Sequence, residues 1–327
     1  MISIIIPSYN SASTIKDCLD GIFSNKFKNF EVIVVSDKST DDSTDIAKNY
    51  NCKIIELEEN KGPAFARNTG ANSASGDILL FLDSDCIVKN DALMNVDEIF
   101  KNKKANVVQG VYSHKPNYKS INTQYQQSFY CYYTWQENLD YTDSLTSMYF
   151  ALKKETFIES EGFNINIKYA TAEDEEFGYA LINKGYKISI SRKLSVEHKV
   201  NYTLLKFIKR NFKAYIDTVR MHLRNKSYTT KAKQKNYSNT LIGIPIIGLI
   251  MLTLLLIVFY PSNINFYIFF TLNIIFLCLH FKFINFVKKT KGALKAFRII
   301  PICYLDTFLM LLGTLYGSII YFLGKKY

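Results

Sequence analysis

A chain of 327 residues that is 48% hydrophobic and 15% aromatic holds one large domain or two modest ones, and its composition is too apolar for a wholly soluble enzyme. The apolar excess collects after about Asn239, and the net charge of +11 gathers between Lys199 and Lys235 and between Lys288 and Arg298, beside the apolar segments. That placement suits anionic lipid and the positive-inside rule; with no basic repeat, zinc-ligand spacing or RNA-binding aromatic motif, it argues against nucleic acid. Cys18, Cys52, Cys86, Cys131, Cys278 and Cys303 form no C-x-x-C pair and read as reduced cysteines of a cytosolic domain. Met1–Pro7 has no basic stretch or cleavage site and reads as a first strand, not a signal peptide.

In chain order, Ser3–Ile6 is the first strand and Pro7–Asn10 a polar turn at its carboxyl end. Ser13 or Thr14 caps a helix to about Phe23. Phe30–Val35 is the second strand, Ser36–Asp42 its outgoing loop, and Ser43 or Thr44 opens a short helix. Lys53–Leu57 is the third strand. Pro63 then starts a helix through Ala64, Ala66, Arg67 and Ala71. Ile78–Leu82 is a short apolar run that ends in Asp83-Ser84-Asp85. Such a run fits a strand buried on both faces of a parallel sheet, and the β-α-β-α alternation predicts a doubly wound α/β fold. Ligands bind beyond the carboxyl ends of such strands. Asp83 and Asp85, two residues apart, point the same way and suit a hard divalent cation that holds a diphosphate. A solvated Asp-Ser-Asp turn is the plain alternative.

Four stretches in order, Ser3–Asn10, Val34–Asp41, Asn60–Gly62 with Ala66–Gly70, and Phe81–Asp85, resemble the family 2 glycosyltransferases of the GT-A fold. The resemblance covers roughly the first 200 residues. It implies a nucleotide-sugar donor linked to UDP or GDP, a divalent metal (Mg2+ or Mn2+) and inversion at the anomeric carbon. Pro7, Tyr9 and Asn10 then border a base and ribose. Asp37 could accept from a base N–H or serve an Asp-rich turn; Ser36 stands where relatives usually carry a first acid. Arg67 either faces the nucleotide or forms a salt bridge, and Asn68 either has a site role or is a local hydrogen bonder. Asp83, Ser84 and Asp85 border the diphosphate, with Asp83 and Asp85 as metal ligands.

Beyond Asp85 the sequence predicts a helix over Asp91–Phe100 and a strand over Asn106–Tyr112. Helical spacing of Ile121, Tyr125, Phe129 and Tyr132 follows, as core aromatics, and then a strand over Tyr149–Leu152 facing the sugar. Glu161-Gly162-Phe163 resembles the family's Gly-Phe turn, with Asn164 where an acid is common. Glu173-Asp174-Glu175-Glu176 precede an apolar-periodic helix, and acids in a first turn are favoured by the helix dipole. The family match makes Asp174 the general base and Glu173 a supporting acceptor contact. A strand follows at Lys187–Ser191. His198 stands where the family often has a histidine near the metal or diphosphate.

From Tyr202 an amphipathic pattern sets Leu205, Ile208, Phe212, Tyr215, Val219 and Leu223 against Lys206, Lys209, Arg210, Lys213, Arg220 and Arg224. It reads as a membrane-interface helix or as one packed on the catalytic domain. Lys209–Lys213 lacks the Gln-x-x-Arg-Trp motif of the family's processive synthases, which points to a non-processive enzyme. The expected divisions are a catalytic domain over 1–200, interfacial helices over 201–238, and a membrane domain over 239–327. Its hydrophobic segments are 241–260, 264–287 and 299–323, each near the roughly 20 residues that span a bilayer. The basic link at Lys288–Arg298 puts that link and the catalytic domain on the cytoplasmic side; Lys325 and Lys326 pull the other way, so the third segment spans or dips and returns. Asp306 within it is either functional, paired with Arg298 or at an interfacial position. A membrane lipid surface beside the site suggests a lipid-borne acceptor, a polyprenyl phosphate or lipid-linked glycan. The competing reading is an inactive membrane scaffold that retains a nucleotide-sugar-binding domain.

Overall fold

The computed structural model describes residues 1–102, 105–116, 118–135, 140–167, 171–225 and 238–325. The chain forms two compact units: Met1–Pro116 with Thr134–Val200, and Asn117–Tyr133 with Asn201–Tyr327.

The first unit is built on one sheet. Strands β1 (Ile2–Ser8), β2 (Phe30–Ser36), β3 (Lys53–Glu56) and β4 (Ile78–Leu82) are parallel, in the order β3-β2-β1-β4. Ile5 lies beside both Ile33 and Phe81, and Ile4, Ile5 and Ile6 are all fully buried, so both faces of β1 are covered. That is why β1 and β4 read as unbroken apolar runs and not as alternating ones. Helices α1 (Ile15–Phe23), α2 (Ser43–Lys48), α3 (Pro63–Asn72) and α4 (Ala92–Lys101) connect or follow these strands. A methyl group on Gly70 of α3 would sit 2.5 Å from Ile5 Cγ2, which shows how closely that helix lies on β1.

Beyond β4 the sheet turns mixed. Its remaining path is β8 (Tyr149–Lys153), β6 (Val107–Tyr112), β9 (Ile188–His198) and β5 (Cys86–Val88). Strand β8 is antiparallel to β4 and β6, β6 is parallel to β9, and β7 (Tyr141–Thr142) pairs with β9. The short strand β5 pairs antiparallel with β9, which sets Cys86 opposite His198. The strand expected over Lys187–Ser191 thus continues to His198, through the polar stretch Ser191-Arg192-Lys193 that hides it from a hydrophobicity pattern. Between β8 and β9 lie α6 (Lys154–Glu159) and α7 (Glu173–Asn183). The core packs Phe81 flat on Phe150 at 4.7 Å and Phe163 on Phe177 at 4.3 Å between ring centroids.

The second unit is helical: α5 (Ile121–Thr134), α8 (Leu204–Arg224), α9 (Ser238–Phe259), α10 (Asn263–Lys291), α11 (Ala293–Arg298) and α12 (Ile300–Phe322). Three stretches, Ile242–Phe259, Asn263–Lys291 and Ala293–Phe322, are long and apolar enough to cross a membrane. Gly292, at φ +95°, separates α10 from α11. The aromatic helix α5 finds its partners in this unit, not in the sheet's core: Tyr125 packs edge-on against Phe207 and Phe283. Asp306 does not pair with Arg298. It is buried and accepts from Asn211 Nδ2 (2.7 Å), Tyr215 Oη (2.8 Å) and Tyr125 Oη (2.8 Å). The expected extension of the interfacial segment over 226–237 and the terminal Lys326 lie outside the described residues.

Phe81 stacks on Phe150 and also meets Phe157 and Phe163. Replacing it with alanine should lower the stability of the first unit by about 3–5 kcal/mol, the usual result of an aromatic-to-alanine cavity. Chemical denaturation of the variant followed by far-UV circular dichroism checks this.

Candidate active site

The loops that leave β1 and β2 are stitched into one ledge at the carboxyl edge of the sheet. Asn10 and Lys38 adopt left-handed backbone, at φ +50° and +61°. Asn10 Oδ1 accepts from the Thr40 amide (2.8 Å) and hydroxyl (3.2 Å), while the Asn10 amide donates to Ser39 Oγ (3.2 Å). Asp41 accepts from the Ala12 amide (2.9 Å), the Ser43 amide (3.1 Å) and the Ser43 hydroxyl. Pro7 is half-buried in this ledge and Tyr9, 54% exposed, stands out from it. Asp37 is buried. Its two carboxylate oxygens accept from the amides of Lys61 (2.7 Å) and Gly62 (2.9 Å), at the entry to α3. Asp37 therefore pins the start of α3 to the end of β2, and a contact to a base would be an additional one.

One turn into α3, Arg67 is 3% exposed. Its Nη2 donates to Asp83 Oδ1 at 2.8 Å and its Nη1 to Glu173 Oε1 at 2.9 Å. Of the two expectations for Arg67, the structure displays the ion pair, with two carboxylates instead of one. Its guanidinium also lies 5.5 Å from the centre of the Phe163 ring. Asn68 clasps the same turn: its Oδ1 accepts from the Phe163 amide (2.9 Å) and its Nδ2 donates to the Phe163 carbonyl (2.8 Å). Gly162, at φ +69°, permits this closeness, since a methyl group there would lie 2.7 Å from Asn68 Oδ1.

Asp83 and Asp85 differ in their surroundings. Asp83 faces Arg67, and its amide donates to the Met148 carbonyl (3.1 Å) beside β8. Ser84 is half-buried between them. Asp85 Oδ2 lies 3.1 Å from His198 Nε2, and the Lys199 amide ties the Asp85 carbonyl at 2.8 Å. His198 is buried at the end of β9, stacked on Tyr112 with centroids 4.9 Å apart. Asp85, Cys86 and His198 place one ligand atom each within 4.8 Å of one another. Burial and the two nearby aspartates push the Cys86 thiol well up, so it stays protonated, a poor ligand beside a carboxylate and an imidazole. What remains is a carboxylate and imidazole pair that could hold a divalent cation.

Asp174 sits in the first turn of α7. Its Oδ2 accepts from the amide (3.0 Å) and hydroxyl (3.3 Å) of Ser147, and its Oδ1 from the Glu175 amide (2.8 Å). Ser147 adjoins Met148, whose carbonyl holds Asp83, so one short segment before β8 touches both acids. Glu173 is not an open acceptor contact. It is 2% exposed, with its oxygens taken by Arg67 and the Thr171 amide (2.8 Å). Burial, then the neighbouring Asp174, pushes its carboxyl up to about 7 against the pull of Arg67. Asn164 Nδ2 donates to Glu176 Oε1 at 2.7 Å, so the Gly-Phe turn is fastened to α7 as well. The sequence reading missed Ser147, Tyr112 and Cys86, and left Asn68 open. Ser147 works mainly through a backbone amide, which no residue type announces.

Arg67→Met should destabilise the first unit by about 3–5 kcal/mol, because it strands the buried Glu173 and leaves Asp83 without its counter-charge. Denaturation of this variant beside Arg67→Lys, which keeps the charge but not the fork, checks this. A second expectation concerns Glu175, pushed up to about 7 by burial and by Asp174. Its folded value lies above the unfolded one, so its contribution is intact below about pH 4.5 and is lost as pH rises through about 7. The thermal midpoint of Glu175→Gln should therefore gain on the parent chain between pH 5 and pH 8.

Known proteins resemble this chain in sequence and in fold. The family model "Glycosyl transferase family 2" matches residues 3–162. Glycosyltransferase GlyA of Streptococcus pneumoniae is 36% identical over 115 residues, 34% of this chain and 16% of that protein. The poly(ribitol-phosphate) beta-glucosyltransferase of Bacillus spizizenii is 37% identical over 117 residues, 33% of this chain and 18% of that protein. The chain thus spans less than a fifth of either relative. Among solved structures, the mannosyltransferase PcManGT of Pyrobaculum calidifontis superimposes with a TM-score of 0.60 at 16% identity, over 99% of this chain and 87% of that one, a likeness of fold. Over residues 3–162, just under half of the chain, the sequence is thus similar to the family 2 glycosyl transferases, and its mostly parallel sheet resembles the GT-A fold.

Proposed function

We propose that the chain transfers a sugar from a UDP- or GDP-linked donor to a membrane-borne acceptor, with inversion at the anomeric carbon and with Mg2+ or Mn2+. The observation that carries this reading is the Glu173–Arg67–Asp83 ion-pair chain, which fixes the first turn of α7 against the carboxyl end of β4. An inverting displacement needs a base on one side of the sugar and a stabilised leaving group on the other. Asp174 supplies the first, positioned by Ser147 through Oδ2 and with a lone pair of Oδ1 left to accept. Asp85 and His198 would hold the cation, with Asp83 beside them, and the cation would offset charge on the departing diphosphate. The exposed Tyr9, with Pro7, Asn10 and Asp37, lines the ledge where the base and ribose would lie, and Ser84 adjoins the diphosphate.

In this reading the acceptor hydroxyl of a lipid-linked glycan gives its proton to Asp174 as its oxygen bonds to the anomeric carbon, and the nucleoside diphosphate leaves with the bonding pair; a polyprenyl phosphate oxygen is already anionic and attacks without a proton to give. Glu173 acts through Arg67 as a positioning residue. PcManGT, held with GDP-mannose and Mn2+, supports the donor class and the use of a metal. The three apolar helices and the basic α8 support a lipid-borne acceptor, a polyprenyl phosphate or lipid-linked glycan. The basic end of α10 (Lys288, Lys289 and Lys291) favours catalysis at the cytoplasmic face. The proposed divisions remain a catalytic domain to residue 200, an interfacial segment, and a membrane domain from about 239.

Nucleotide release by the full chain in lipid nanodiscs should require one donor, a divalent ion and polyprenyl phosphate or a lipid-linked glycan. Asp174→Asn should slow it by roughly 10²–10⁴-fold, the usual share of a general base, with donor affinity retained. Chelation should abolish it. Donor binding that yields no turnover on any lipid, and that Asp174→Asn leaves unaltered, would favour the inactive scaffold.

A further inference from the structure

Helices α8 and α12 run parallel and side by side along their length. Near the start, Asn211 and Tyr215 both donate to Asp306. Midway, methyl groups on Gly313 and Gly317 would lie 2.7 Å from Tyr215 Cβ and 2.4 Å from Val219 Cγ1, so the two backbones touch over a small-xxx-small stripe. At the end, Tyr321 Oη donates to the Leu223 carbonyl (3.1 Å) and Arg220 Nε to the Lys325 carbonyl (3.0 Å). Each four-residue step along α8 is matched by a step along α12. A pair in this register shares one orientation to a bilayer: if α12 crosses, α8 crosses with it.

Helix α8 is unfit to cross. Its 21 residues include seven charged ones, Lys206, Lys209, Arg210, Lys213, Asp217, Arg220 and Arg224, and Lys213 and Asp217 fall at its middle. Its Lys206, Lys209, Arg210 and Lys213 line a shallow groove with Thr203 and Leu205, suited to anionic headgroups. Helix α5, which reaches Asp306 through Tyr125 and Asn211 through Gln126, is likewise rich in buried amides. Helix α12 keeps an apolar stripe outward, with Leu312, Leu315, Tyr316, Ile319 and Phe322 exposed at three- and four-residue steps. We infer that α12, although long and apolar enough to span, lies in the plane of the membrane interface beside α8, its outward stripe in the acyl chains, and that α9 and α10 alone cross. Two crossings return the chain to the face it left, which is where the contact of Arg220 with Lys325 requires it. The opposing pulls of the basic link after α10 and of Lys325 then vanish, because both lie on one side.

This inference rests on the membrane reading above, and depth-dependent quenching separates the two. In a Trp135→Phe chain, single tryptophans replace Leu312, Leu315, Ile319 or Phe322 on α12, and Leu252, exposed on α9, serves as the control. The full-length chains are placed in anionic vesicles whose lipids carry bromine near the glycerol or near the chain ends. An in-plane α12 predicts that all four of its positions lose more fluorescence to the shallow bromines, while Leu252→Trp loses more to the deep ones. A depth gradient from Leu312 to Phe322, deepest near Leu312, would overturn the inference and leave the membrane reading standing. No quenching at Leu252→Trp by either lipid would overturn both.

Discussion

The catalytic unit depends on one buried guanidinium. Arg67 joins a carboxylate at the end of a β-strand, Asp83, to another at the start of a distant helix, Glu173. A buried carboxylate and a half-buried one repel, and one buried cation between them converts that repulsion into a link. The fork of an arginine is needed because the two acids are reached by different nitrogens. Asn68, the next residue, fastens the Gly162-Phe163 turn by both ends of its amide. One turn of α3 therefore sets the distance between the parallel half of the sheet and the later, antiparallel part that brings α7.

This division explains what sequence could and could not reveal. The parallel half was legible: β1, β2 and β4 are unbroken apolar runs, and Gly62-Pro63 announces α3 with a residue whose φ of +87° few others tolerate. The mixed half was less so. The polar middle of β9 has no alternation that marks a strand, and β5 has three residues. At the site, residue types identified the acids and His198 but not their partners. Arg67 and Asp37 illustrate this: each carried the right chemistry for a nucleotide contact, and each is committed first to holding the site together. Ser147 was invisible because a backbone amide does much of its binding.

In the helical unit, length and hydropathy marked the apolar segments and left the orientation of the third one open. Three segments meet the requirement for spanning, yet that requirement considers one helix at a time. Only the register of α12 against the charged α8, fixed by Asp306, Gly313 and Gly317, shows that its orientation is shared. Asp306 looked like an intramembrane acid with a function or an arginine partner. Its three donors from two neighbouring helices make it the bolt of a polar helix cluster.

The account's central claim is that a base on α7 and a leaving-group site at the end of β4 are held apart on two sides of one sugar. The anomeric configuration of the product, read by NMR of the glycosylated lipid after a single turnover, tests it most directly. A configuration opposite to that of the donor is the predicted result: one displacement, with Asp174 taking the proton. Retention would contradict the account, since it calls for a second displacement or a front-side path that this pair of acids does not provide.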